Sequence, residues 1–276
     1  MSIVTFWGTG KEQAGKTLAL VSIATNMAIQ HNKRILVISV SYNNETLKNC
    51  YWNEETAKKT SIFRPKERVE LDTGIEGLAK IIQSNKISPE LITDYTRVVF
   101  KDRLEILLGF DTKTLVTSDN VAKIYTDIIQ LASRYYDIIF VDLDNEINEQ
   151  AIEGILKMSN VIVAMTSQKI ASIKLMKQKI QQFPHNKAML LIGRYDRTSK
   201  YTIKNLSRVL GEKKELLTIP YNTLFFEASQ EGTVTDLFLR LRRIEDKNDG
   251  NAFFIEQVKK TSQEIMNKIE EDKMIR

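Results

Sequence analysis

Cysteine is nearly absent from this chain. Cys50 stands alone among 276 residues, so no internal disulfide can form, and the thiol is expected to be inert. Histidine is almost as scarce. His31 and His185 offer no metal-ligand spacing, and each falls at a predicted helix end as an exposed terminal residue. No stretch approaches the roughly eighteen apolar residues of a membrane span, and the first apolar run carries neither a basic flank nor a cleavage-like site. The expected location is therefore the cytoplasm. Internal repeats, low-complexity tracts and obvious linkers are also missing. The net charge of +5 is thin over this length, which permits an acidic partner without demanding one. What remains is a chain with 42% hydrophobic residues, long enough for one large core, and a single domain over 1–276 is expected.

Against that plain background one octet stands out. Gly10-Lys11-Glu12-Gln13-Ala14-Gly15-Lys16-Thr17 fits the G-x-x-x-x-G-K-[ST] phosphate loop. It follows a short apolar run, Ile3-Val4-Thr5-Phe6-Trp7, and precedes an apolar helical stretch from Leu18 to Ala24, so it sits where a strand hands over to a helix. A loop in that place turns its backbone N–H groups toward phosphate, and the positive end of the following helix adds to the attraction. Lys16 is expected to reach the β and γ phosphates, and the Thr17 hydroxyl to ligate Mg²⁺.

Short apolar runs alternate with longer helical patterns along the rest of the chain, as in parallel strands joined by crossover helices. Strands are expected at 3–7, 34–39, 104–108, 137–143, 160–165, 188–192 and 215–219, and helices near 16–31, 74–85, 120–134, 148–158, 167–182, 199–210 and 254–271. The pattern weakens between Ser41 and Asp102, where Asn43-Asn44, Arg64-Pro65-Lys66 and Asp72-Thr73-Gly74 act as breakers. A Rossmann-like, doubly wound, mostly parallel α/β sheet flanked by helices follows from this alternation.

Lys11, five residues before Lys16, narrows the comparison. With it the loop resembles that of the deviant Walker A ATPases, the ParA/MinD family of P-loop proteins. Glu12 and Gln13 replace that family's glycine pair, which substitutes side chains for residues that allow close backbone approach. The likeness covers most of the chain. Arg34-Ile35-Leu36-Val37-Ile38 is similar to the second strand, Asp137-Ile138-Ile139-Phe140-Val141-Asp142 to the Walker B strand, and Ile219-Pro220-Tyr221-Asn222 through Glu227-Ala228 to Gly232 to a late Pro-Tyr-Asp segment. Residues Ile87 to Ile92 and Leu104 to Gly109 also resemble the MinD and CpaE/TadZ members. The resemblance implies ATP and Mg²⁺ as ligands, held by 10–18 including Leu18, and a homodimer formed with nucleotide, in which Lys11 crosses to the partner's phosphates. A solvated loop lysine is the plainer reading of Lys11.

Asp142 ends an apolar strand, where a carboxylate faces the crevice at the carboxyl edge of a parallel sheet, and it is expected to hold Mg²⁺. Asp144 points the same way if the strand continues, either as a water-orienting group or as an exposed loop acid. Hydrolysis needs a residue that positions water in line with the γ phosphate. In the resembling ATPases an aspartate after the second strand does this, and here Ser39 and Ser41 stand instead. Three outcomes stay open: slow ATPase activity, activity that depends on Asp144 or on an activating partner, and none. For the base, Arg194 in Gly193-Arg194-Tyr195-Asp196 replaces an expected asparagine, which leaves backbone around Pro220 and Tyr221, while Asp196 reads as a cap for the next helix.

Exposed cations could meet an acidic partner. Arg240, Arg242 and Arg243 are candidates for non-specific DNA contact; Lys200, Lys204 and Arg208 share a helix face that reads as solvated. The final helix carries Phe254, Val258, Ser262, Ile265 and Ile269 on one stripe with mixed charges elsewhere, which favours core packing over membrane contact. Two roles therefore follow from the resemblance: a switch in DNA partitioning, or an adaptor that localises a pilus, secretion or conjugation machine with little or no hydrolysis.

Overall fold

The structure, a computed structural model, describes residues 1–9, 13–42, 44–52, 74–82, 88–110, 118–184, 187–211 and 216–275. Its strands are β1 (Ser2–Gly8), β2 (Ile35–Val40), β3 (Arg97–Phe100), β4 (Leu104–Leu107), β5 (Ile138–Leu143), β6 (Val161–Thr166), β7 (Ala188–Tyr195) and β8 (Leu217–Pro220). They form one sheet in the order β3-β4-β2-β5-β1-β6-β7-β8, parallel throughout except for the edge strand β3, which runs antiparallel to β4. The expected doubly wound, mostly parallel sheet is what the chain forms.

Helices cover both faces. One layer holds α1 (Lys16–Gln30), α2 (Glu45–Tyr51), α8 (Thr223–Glu231), α9 (Val234–Leu241) and α10 (Ala252–Ile275). The other holds α3 (Ile75–Ile82), α4 (Ser118–Ala132), α5 (Glu149–Met158) and α6 (Ile170–Ile180), together with a 3-10 turn at Pro89–Tyr95. Helix α7 (Ile203–Leu210) and α6 enclose a smaller cluster around Ile192, Tyr195 and Leu206. Because neighbouring residues in a strand face opposite ways, Val4 and Phe6 of β1 enter the first core while Ile3 and Trp7 enter the second. Every residue of β2, β5 and β6 is buried, which explains why these strands read as unbroken apolar runs.

The predicted stripe of α10 is buried: Phe254, Val258, Ser262, Ile265 and Ile269 all lie in the interior, and Phe254 stacks on Phe225 at 5.2 Å between ring centres. Among the described residues no helix is long and apolar enough to cross a membrane. Asn160 fastens α10 to the central strand. Its Oδ1 accepts from the Ile3 N–H at 2.8 Å, and its Nδ2 donates to Asp272 at 2.6 Å. Asn160→Ala should strand the buried Ile3 N–H and cost about 1–3 kcal/mol, as read from urea unfolding. An unchanged unfolding midpoint would show that Asn160 ties nothing together.

Four elements do not appear among the expected ones. Strand β3 is four residues long and half exposed, and α2, α8 and α9 have seven to nine residues each, too short for a helical period to declare itself. Two expected helices begin later than predicted. Thr202 caps α7 by accepting from the Asn205 N–H, so residues 199–202 stay outside it, and α6 starts at Ile170 because Gln168 is engaged with neighbouring loop backbone.

Candidate phosphate-binding site

At the carboxyl edge of the sheet, β1 runs into the loop that opens α1. Gly10, Lys11 and Glu12 lie outside the described residues; Gln13 is exposed, Ala14 is buried and Leu18 is half-buried. Gly15 takes φ 70°, ψ 35°, a left-handed turn natural to glycine, and the helix starts at the next residue. Lys16 and Thr17 are thus its first two residues, beside its unsatisfied N–H groups.

Asp142 meets both of them. Strand β5 lies between β1 and β2, with Asp142 in register with Phe6 on one side and Ser39 on the other. One carboxylate oxygen is ion-paired with the Lys16 ammonium, and the other accepts the Thr17 hydroxyl at 2.7 Å. Asp142 is only 4% exposed, so this pairing compensates an otherwise costly buried charge. Asp144 follows on the same side. Its N–H donates to the Val40 carbonyl at 3.0 Å, extending the ladder, and its carboxylate accepts from the Ser41 hydroxyl at 3.2 Å. Ser39 and Ser41 are both buried.

The donor set fits a hard cation. Mg²⁺ is commonly held by one or two carboxylates and a hydroxyl, with substrate phosphates and water completing the shell. Thr17 and Asp142 supply such oxygens beside a lysine suited to phosphate. Among the described residues no group of three His, Cys, Asp or Glu gathers, so an all-protein metal cage is not the pattern found there.

Strand β7 backs the loop. Gly193 is buried, and a β-carbon there would overlap the Ala14 carbonyl oxygen, so glycine is what lets β7 and the loop touch. Next to it Arg194 takes φ 48°, unusual for a residue with a side chain, at a bulge between Ile192 and Tyr195. Its side-chain stem lies against Gly15: a β-carbon built there would be 3.1 Å from Arg194 Cγ. The guanidinium group is consequently carried to the loop on a strained backbone. One strand further out, Pro220 is in register with Tyr195, and the Tyr221 N–H donates to the Tyr195 carbonyl at 3.0 Å. Tyr221 is 55% exposed.

Other expected residues behave differently. Asp196 does not cap the next helix; its carboxylate accepts from the Thr198 N–H and hydroxyl, closing its own turn, and these bonds hold its pKa below the ordinary value. Thr202 is the cap instead. Cys50 is fully buried on α2, and burial, aided by the charge of Asp142, pushes its thiol well above the usual range. Arg240, Arg242 and Arg243 are exposed at the end of α9; Lys204 and Arg208 are exposed along α7, whereas Lys200, also exposed, precedes the Thr202 cap and so does not share the expected helix face. His31 caps the end of α1, half exposed, while His185 lies outside the described residues.

Sequence reasoning passed over Gly193 and the Asn44–Gly109 pair. Asn44 accepts from the Gly109 N–H at 2.9 Å and donates to its carbonyl at 3.0 Å, which fixes the chain just beyond Ser41. A β-carbon at Gly109 would overlap the Ser41 carbonyl oxygen. The available signal was a glycine at the end of an apolar strand, which marks close backbone approach.

At the level of sequence the chain matches no protein-family model and no curated protein. Solved structures are similar in shape. A ParA family ATPase from Chlorobium tepidum TLS superposes with a TM-score of 0.59 at 14% identity, over 86% of this chain and 98% of that one. A plasmid partition protein from Borrelia burgdorferi B31, bound to AMPPNP, gives 0.61 at 16% identity over 94% and 97%. The septum site-determining protein MinD of Pyrococcus horikoshii OT3, complexed with Mg-ADP, gives 0.60 at 14% identity over 97% and 98%. The eight-stranded sheet, its connections and the loop between β1 and α1 together give this chain the fold of the ParA and MinD ATPases.

Proposed function

We propose that this protein is a nucleotide-dependent switch that binds Mg-ATP at the β1–α1 loop and self-associates in its presence, with slow or partner-stimulated hydrolysis resetting it. The observation that carries this reading is the convergence of Lys16, Thr17 and Asp142 around one point at the carboxyl edge, directly after a left-handed Gly15. Lys16 would face the β and γ phosphates, Thr17 and Asp142 would hold the metal, and the metal would shield phosphate charge. Two of the similar folds carry AMPPNP and Mg-ADP, which supports the choice of ligand. Arg194, leaning on Gly15, would add its charge to the nucleotide site, and Pro220 and Tyr221 stand beside it for the base.

In such a switch the γ phosphate biases monomer against dimer, and the resemblance assigns Lys11 to the dimer contact. The cargo we infer is DNA, in a partitioning role. Supporting it are the three exposed arginines Arg240, Arg242 and Arg243 at the end of α9, a surface able to meet phosphates without reading sequence.

Sedimentation with ATP, with ADP and without ligand, recording phosphate release and DNA retention on the same samples, tests this reading. The expected result is a dimer with ATP only, retaining DNA less as salt rises. A dimer that neither retains DNA nor turns over ATP would assign the adaptor role instead. A chain that stays monomeric throughout would overturn the switch.

A further inference from the structure

The carboxylates at the sheet edge divide into two kinds. Asp142 has both oxygens committed, one to Lys16 and one to Thr17. Asp144 bonds other groups. One of its oxygens accepts from the backbone N–H groups of Asn145 and Glu146 at 2.6 and 3.4 Å, and the other accepts the Ser41 hydroxyl at 3.2 Å. An ionised carboxylate has about four acceptor positions, so three named donors leave room for one more. The group is held from two strands, because Ser41 follows β2 while Asp144 follows β5, and the Asn44–Gly109 bonds fix the chain beyond Ser41. Asp144 is half-buried, open enough to admit water.

Transfer of a phosphoryl group to water asks little of a protein beyond electrostatic stabilisation and one acceptor that orients the nucleophile. Among the described residues, the buried side chains at the end of β2, Ser39 and Ser41, are neutral hydroxyls. We propose that Asp144 is the water-positioning residue of this site, with Ser41 acting as the positioning residue that aims it. This rests on the nucleotide reading given above. The water oxygen forms its bond to the γ phosphorus as the bond from that phosphorus to the β–γ bridging oxygen breaks, and the electron pair leaves on ADP. Asp144 orients the water as a hydrogen-bond acceptor and the proton of the water leaves to solvent, so ATP and water give ADP, phosphate and a proton. A charge that would ordinarily sit after one strand is thereby supplied from its neighbour.

Asp144→Asn separates this role from a structural one, since an asparagine oxygen still accepts from the Asn145 and Glu146 N–H groups and preserves the turn. The expected D144N protein melts at the wild-type temperature without nucleotide and binds Mg-ATP within about threefold by calorimetry, but releases phosphate at least about 100-fold more slowly in a single turnover. Adding Ser41→Asp to that variant returns a carboxylate from the β2 side, within reach of the amide that the first substitution introduced, and should recover at least about tenfold of the loss. Wild-type phosphate release by D144N, or a much lower melting temperature for it, would overturn the assignment. So would a wild-type chain that binds ATP yet releases no phosphate. A wild-type chain that binds no ATP would remove the nucleotide reading itself, and calorimetry tells that failure from the others.

Discussion

Replacing Lys16 by alanine should lower the affinity for Mg-ATP by at least about 100-fold, close to 2.7 kcal/mol, while leaving the far-ultraviolet dichroism spectrum intact. Lysine–phosphate contacts are charge-assisted and worth roughly twice a neutral hydrogen bond. In this site the ammonium is placed at the start of α1, where helix N–H groups and the lysine charge act on the same ligand. The variant also removes the cation beside Asp142, so a 4% exposed carboxylate bonded only to the Thr17 hydroxyl would then stand near incoming phosphates and repel them. Both effects push the same way, which is why the loss should exceed that of any other single substitution at the loop. Unchanged ATP affinity in calorimetry would refute the site.

The second large effect is expected from Gly193→Ala, a residue that touches no ligand in the proposed scheme. A methyl group there would overlap the Ala14 carbonyl oxygen and come within 2.9 Å of Met165 Cε. The methionine can yield; the carbonyl belongs to the phosphate loop and cannot move without tilting the peptide into Gly15. We expect a stability loss of about 1–3 kcal/mol from overpacking and a drop in ATP affinity of roughly tenfold or more as the loop is displaced. Gly154→Ala on α5, where a β-carbon meets open space, is the control, and it should hold or raise stability by up to about 1 kcal/mol. If both alanine variants bind ATP alike, β7 does not position the loop.

These two residues also show what could be read in advance and what could not. Lys16 was legible because its motif is local: the octet, the preceding apolar run and the following helix are contiguous in the chain. The buried parallel strands were legible for a similar reason, since burial on both faces leaves a run of Ile, Val and Leu with no polar alternation. Gly193 was not, because its requirement comes from Ala14, far away in sequence, and no periodicity encodes such a contact. The same holds for Asn44 and Gly109, and for Ser41 aiming Asp144, where the partners lie beyond the ends of different strands. Helices α2, α8 and α9 escaped for another reason. Tertiary packing stabilises them, and seven to nine residues give too few turns for a pattern. Asp196 shows the opposite error, a local rule applied where the residue closes its own turn.

The sheet order has a consequence for how the molecule is made. Strand β1 leads the chain, yet both its neighbours are late: Ser2 is in register with Ile138 of β5, and Ile3 bonds Asn160, 157 residues away. During synthesis the segment that bears the phosphate loop must therefore wait for its sheet partner until β5 has emerged. Such distant pairing makes for slow folding. The nascent chain should lean on a chaperone over that interval, and ATP can lend its binding energy only after β5 and β6 have closed around the leading strand.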